Sequence, residues 1–122
     1  MSVAEFLDKA RAAFSHFDVP GEISSQAIEN LESWLRDERF ADSRAQLDYL
    51  LRARKYEHLF EAFFQRLPFG TSGRRGPVGF GTNRFNPFTL ETSIQGHCDF
   101  LKLRQGESPA SIVIAYDVRI FE

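Results

Sequence analysis

Apolar residues recur at helical spacing through the first 66 positions of the chain and follow a different pattern after them. Val3, Phe6, Leu7, Ala10, Phe14 and Phe17 repeat about every 3.6 residues, which predicts an amphipathic helix ending before the Pro20-Gly21 break. A second helix, capped by Ser24 or Ser25, is expected to bury Ala27, Ile28, Leu31, Trp34 and Leu35. Asp42 or Ser43 can cap a third, with Leu47, Leu50 and Leu51 inward. Leu59, Phe60, Phe63 and Phe64 extend that pattern to Pro68, as one helix or as two. Further on, Asn86-Pro87 has the form of a helix start, since asparagine suits the N-cap and proline the first helical position. Leu90, Ile94, Cys98 and Leu101 would line one face of that helix. Gly96 inside it costs about 1 kcal/mol relative to alanine, which predicts another backbone packed closely there. Ser111 to Tyr116 is a β-branched run that predicts a strand covered on both faces. Asp117 and Arg119 follow at its carboxyl end, where open α/β sheets usually bind ligands.

Between the two patterned regions, residues 67–88 read LPFGTSGRRGPVGFGTNRFNPF, with five glycines, three arginines and several hydroxyl or amide side chains. Glycines at 70, 73, 76, 79 and 81 allow positive φ and close backbone approach to a ligand. Arg74, Arg75 and Arg84 supply planar guanidinium forks that match phosphate oxygens. The segment therefore suits anion binding, with Arg74 expected to face solvent and Arg75 either to contact the anion or to tie down the turn.

Composition narrows the class. The 122 residues are 43% apolar and 26% charged, with thirteen phenylalanines, as in a soluble globular chain with ample core material. The net charge of −2 argues against a polyanion-binding surface, so no nucleic-acid partner is expected. Cys98 is the only cysteine, which excludes an intrachain disulfide, and it has no nearby His/Cys partners for a zinc site. No apolar run approaches the roughly 18 residues of a membrane span, and the N-terminus lacks a signal-peptide pattern. A cytoplasmic protein without a membrane partner is expected.

The order of motifs is itself informative. FGTSGRRG, then GTNRFN, then Gln95-Gly96 inside a helix, then AYDVR resembles the opening of the α-D-phosphohexomutase superfamily, the phosphoglucomutases and phosphomannomutases. The family pattern runs roughly FGTxGxRG, GxNRxN, a helix carrying QG, and a strand ending G-Y-D-x-R. Three positions depart from it: Arg74 stands where an aliphatic residue is commonest, Phe85 where Met or Ile is frequent, and Ala115 where glycine is usual. The resemblance implies an α/β fold: a helical N-terminal extension over 1–66, then the beginning of a three-layer α/β/α first domain over 67–122, incomplete at Glu122. It also implies intramolecular phosphoryl transfer between the 1 and 6, or 1 and 5, oxygens of a sugar phosphate, through a phosphoserine and a bisphosphorylated sugar, with Mg²⁺ assisting. On the family pattern Arg75 contacts substrate phosphate, and Thr71, Ser72 and Gly73 shape the turn. Asn83 and Arg84 support it, and Asp117 and Arg119 lie beside the serine loop. The T-x-S-H-N motif of that serine and the D-x-D-x-D metal loop do not occur in these 122 residues. The catalytic serine, the metal ligands and the remaining mutase domains are therefore expected downstream, and the chain alone is expected to be inactive.

Other motifs fit less well. Ser72 in G-T-S-G-R lacks the final glycine of a nucleophile elbow, and no G-K-[ST] completes a Walker A loop. Phe80, Phe85 and Phe88 among the arginines could stack on RNA bases, but the charge balance argues otherwise. His16, His58, His97 and Cys98 read as packing or surface residues. The competing function is a non-catalytic phosphate-ligand-binding or regulatory module.

Overall fold

A computed structural model describes residues 1–115. Five helices, a short 3₁₀ segment and one two-stranded hairpin occupy them: α1 (Val3–Phe14), α2 (Gly21–Arg36), the 3₁₀ turn Glu38–Ser43, α3 (Arg44–Arg52), α4 (Tyr56–Phe63), β1 (Phe69–Gly70), β2 (Gly73–Arg74) and α5 (Pro87–Gln105). They form two compact units, Met1–Leu90 and Glu91 onward.

In the first unit the apolar stripes meet as their spacing predicts. Phe6, Leu7, Ala10 and Phe14 of α1 are buried with Ala27, Ile28, Leu31, Trp34 and Leu35 of α2, and Leu47, Leu51, Leu59 and Phe63 close the core. Edge-to-face rings knit it laterally: Phe14 lies 5.2 Å from Phe60, and Trp34 lies 5.8 Å from Phe63. Trp34 also stacks on Phe40 and donates its indole N–H to Ser43 Oγ at 2.8 Å, so its polar edge is satisfied although buried.

Helix ends account for the differences from expectation. At α1, Ser2 and Glu5 form a capping box, with Ser2 N–H donating to Glu5 Oε2 at 2.8 Å and Glu5 N–H to Ser2 Oγ at 3.2 Å. Helix α2 begins at Gly21, not at Ser24 or Ser25: the Pro20 carbonyl already accepts from the Ile23 and Ser24 amides, which places both serines inside the helix. Ser43 precedes α3, but its hydroxyl is engaged with Trp34 and the Phe40 carbonyl, so it makes no side-chain cap. The long pattern from Leu47 to Phe64 is two helices. Arg54 takes φ 56°, while the Lys55 and Arg54 amides close back on the Leu50 and Leu51 carbonyls, the Schellman arrangement that terminates a helix.

The residues from Pro87 onward depart further. Helix α5 starts at Pro87 as expected and ends at Gln105, with Gly106 at φ 60° just beyond. Its expected inner face is largely open, with Leu90 and Ile94 exposed and Cys98 and Leu101 half-buried. Among the described residues a Cβ on Gly96 would meet nothing within 4 Å, so none of their backbone packs closely against that glycine. Residues 111–115 of the expected strand form no regular secondary structure and are exposed. A buried parallel strand gains its stability from hydrogen-bonded neighbours and covering helices, and the sheet among the described residues is the antiparallel β1-β2 pair. Tyr116, Asp117 and Arg119 lie outside the described residues. The described residues thus form a mostly helical structure with a small two-stranded hairpin, and of the expected α/β layers α5 is present among them.

Candidate functional site

The glycine-rich segment divides into an exposed hairpin and an anchored loop. In the hairpin, Phe69 pairs with Arg74 and Gly70 with Gly73, leaving Thr71 and Ser72 at the tip. Gly73 takes φ 117°, a conformation that spares Thr71 and Ser72 from positive φ and lets a two-residue connection reverse the chain. Gly79 and Gly81 also have positive φ; Gly70 and Gly76, expected to use the same freedom, do not.

The anchored loop is held by the C-terminus of α4. The last carbonyls of a helix lack intrahelical partners and must find donors elsewhere. Here the Glu61 carbonyl accepts from Asn83 Nδ2 at 2.9 Å and from Arg84 Nη1 at 3.1 Å. The Ala62 carbonyl accepts from the Asn83 amide at 2.9 Å, and the Phe63 carbonyl from Asn30 Nδ2 at 2.8 Å. Arg84 brings its positive charge to the negative end of the helix dipole, with Glu61 Oε2 also 3.7 Å away. Gly81 lies so close to Ala62 that a Cβ would collide with the Ala62 carbonyl oxygen. Gln65 completes the seam, donating to Asn83 Oδ1 at 3.1 Å and accepting at its carbonyl from Thr82 Oγ1 at 2.7 Å.

A second knot forms at the start of α5. Asn86 Nδ2 donates to the Gly79 and Gly81 carbonyls, both at 2.9 Å, while its Oδ1 accepts from the Thr89 amide at 3.0 Å. One side chain therefore caps the helix and shapes the loop. Phe85 joins this knot to the segment after Arg75: its amide donates to the Pro77 carbonyl at 2.7 Å, and its carbonyl accepts from Gly79 at 3.1 Å. Phe88 packs edge-on against Phe40 at 5.1 Å and Trp34 at 5.9 Å, which fastens the segment to the helical core.

The three arginines consequently differ in role. Arg84 is committed to α4. Arg74 is half-buried and donates to the Thr89 carbonyl at 3.2 Å, which overturns the expectation that it faces solvent; the hairpin pairing points it back toward α5's first turn. Arg75 is exposed and makes no hydrogen bond or ion pair with another described residue. Thr71 and Ser72, at the hairpin tip, and Arg75, just after its second strand, are all exposed. This arrangement can present charge and hydroxyl groups to an anion. Among the described residues no group of three or more His, Cys, Asp or Glu side chains is placed to hold a metal ion, and no helix is long and apolar enough to cross a membrane.

The chain is 31% identical over 87 residues to a phosphopentomutase of Mus musculus, covering 70% of this chain and 14% of that protein. It is 46% identical over 59 residues to phosphoglucomutases of Staphylococcus aureus strains, covering 48% of this chain and 10% of theirs. The similarity is to phosphomutases. The chain spans about a seventh of the length of the mouse relative and a tenth of the bacterial ones. No family model and no solved structure matches it.

Two features of the site were not anticipated from sequence. Asn30 was hidden because a single polar residue on an apolar helix stripe has no motif around it. The inward direction of Arg74 is not legible in the sequence, because facing direction in a two-residue strand depends on register, which the turn sets. The Asn86-to-Thr89 spacing is a readable capping signal, and it marks the knot that links loop and helix.

Proposed function

We propose that this chain provides the first phosphate-binding wall of a phosphohexomutase, within a helical extension and the start of a three-layer α/β/α domain. The observation that carries the reading is the division among the arginines: Arg84 and Arg74 bond to backbone carbonyls, while Arg75 remains exposed at a glycine-shaped hairpin beside Thr71 and Ser72. The names of the relatives support the same class.

In the proposed reaction a phosphoserine, supplied by a segment outside these 122 residues, donates its phosphoryl group to a free hydroxyl of a sugar phosphate. The serine is released and a bisphosphorylated sugar forms. Transfer of the other phosphoryl group back to serine completes the isomerisation. Catalysis of such transfers rests on positioning and on stabilising charge at the phosphoryl oxygens. Arg75 acts as a charge clamp and not as an acid or base, because a guanidinium keeps its proton. Asp117 and Arg119 are proposed to stand near the serine loop. Mg²⁺ supplies further charge neutralisation in the complete enzyme; its ligands are proposed to come from another domain. The setting is proposed to be the cytoplasm and carbohydrate metabolism.

The test is a coupled assay of the full-length protein with glucose 1-phosphate, mannose 1-phosphate, and pentose and amino-sugar phosphates. Turnover of one of them, with a loss of about a hundredfold or more in Arg75→Ala, is the expected result. No turnover of any substrate would remove the enzyme reading and leave a phosphate-binding or regulatory module.

A further inference from the structure

Asn30 belongs to none of the motifs that mark the glycine-rich segment, yet it occupies the same helix terminus that holds that segment. It is buried at 7% exposure on α2, 33 residues from the carbonyl it serves. Its Nδ2 donates to the Phe63 carbonyl at 2.8 Å, and its Oδ1 accepts from Gln26 Nε2 at 3.3 Å, a bond that fixes which way the amide points. The preceding two carbonyls of α4, Ala62 and Glu61, are those taken by Asn83 and Arg84. The end of α4 is thus gripped on one side by α2 and on the other by the loop.

From the loop the connection continues to the hairpin through short, direct bonds. Asn83 and Arg84 lead into Phe85, whose amide is 2.7 Å from the Pro77 carbonyl, two residues after Arg75. On the other flank Arg74 donates to the Thr89 carbonyl, and Thr89 is buried with its hydroxyl on the Arg84 carbonyl at 2.9 Å. The base of the Arg75 segment is therefore referenced to α4, and α4 is referenced to α2 by a hydrogen bond to a charge-free, buried amide.

We infer that Asn30 is a positioning residue for the Arg75 turn: it fixes the carbonyl terminus of α4, on which Asn83 and Arg84 dock, and through them the direction in which Arg75 is presented. The functional part of this inference rests on the reading of Arg75 as a phosphate contact; the structural part does not. The helical segment is then the seat of the site, and not only a neighbouring layer.

The experiment compares the full chain with Asn30→Asp, which keeps the shape and replaces the Nδ2 donor by oxygen, and with a core variant such as Ile28→Val, matched in stability by choice of denaturant. Hydrogen exchange is read at the Asn83 and Phe85 amides, both donors in the anchoring contacts. In Asn30→Asp they are expected to exchange about tenfold faster than in the matched control, because a buried carbonyl left without its donor weakens the local seat. Equal exchange in the two variants would overturn the inference, as it would mean that Asn30 contributes to global stability alone. Should Asn30→Asp fail to fold, Gln26→Ala removes only the part-buried orienting bond and is expected to give a selective increase of about threefold. Glucose 1-phosphate is then titrated into each variant. Weaker binding in Asn30→Asp than in the control supports the functional part, and equal binding refutes it. If the unaltered chain binds no sugar phosphate, the phosphate reading fails, while the exchange comparison still decides the structural role of Asn30.

Discussion

The two flanks of the glycine-rich segment share a composition and differ in what holds them. Residues 79–86 are bonded to α4, to the start of α5 and to the Gln65 side chain and carbonyl, whereas the hairpin tip at Thr71 and Ser72 is exposed and Arg75 beside it makes no bond to another described side chain. An anchored flank and a presented flank are complementary. A ligand-binding arginine gains from a base that does not move, because ordering it on binding would subtract from affinity. Glycine serves each flank differently: Gly81 allows close contact with Ala62, and Gly73 allows the chain to reverse.

The comparison makes separable predictions. The largest concerns the anchored flank: Gly81→Ala should destabilise the first unit by about 2–4 kcal/mol, since it adds a collision with the Ala62 carbonyl to an unfavourable positive φ. Thermal or urea denaturation would measure it. Arg84→Met comes next, with a loss of about 1–3 kcal/mol from leaving the Glu61 carbonyl short of a charged donor. Asn86→Ala should cost about 1–2 kcal/mol, combining a lost N-cap with two loop carbonyls left without their donor. By contrast, Arg75→Ala should lie within about 0.5 kcal/mol of the unaltered chain, as expected for an exposed side chain without partners. A stability loss in Arg75→Ala as large as that in Arg84→Met would erase the distinction between the flanks.

A smaller effect lies away from the segment. The Ser2 hydrogen bonds at the start of α1, backbone first and then hydroxyl, hold the Glu5 carboxyl below its ordinary pKa. A carboxyl depressed in the folded state contributes stability above its unfolded pKa, and that contribution disappears as pH falls through the folded value. Fraying of α1, followed by amide exchange, should therefore increase on acidification through the carboxylate range. Ser2→Ala should flatten this dependence.

Much of the helical unit was legible because its signal is local. The stripes of α1 to α4 require only that apolar residues at helical spacing find one another, and Trp34, Leu31 and Phe63 do so. The start of α5 was legible for a similar reason, as Asn86 and Pro87 favour a helix start by themselves. Other features depend on distant partners. Residues 111–115 carry the composition of a strand, but pairing and burial of a strand come from neighbours, and none is paired with them among the described residues. Within the candidate site, the glycines and arginines of the turn stand out in the sequence, and the structure gives the turn as a hairpin and a loop. The sequence did not indicate that Arg74 turns inward or that Asn30 reaches the end of α4, because both depend on how separate elements pack.

The proposed division of roles assigns phosphate contact to Arg75 and a structural part to Arg84 in the same segment. Its most direct test is a titration of glucose 1-phosphate followed by NMR at the arginine Nε–Hε groups and at the amides of Thr71, Ser72 and Gly73. Saturable shifts at Arg75 and the three tip amides, with the Arg84 signal unmoved, are the predicted result. Absence of a saturable shift at Arg75, or an equal response from Arg84, would contradict the claim.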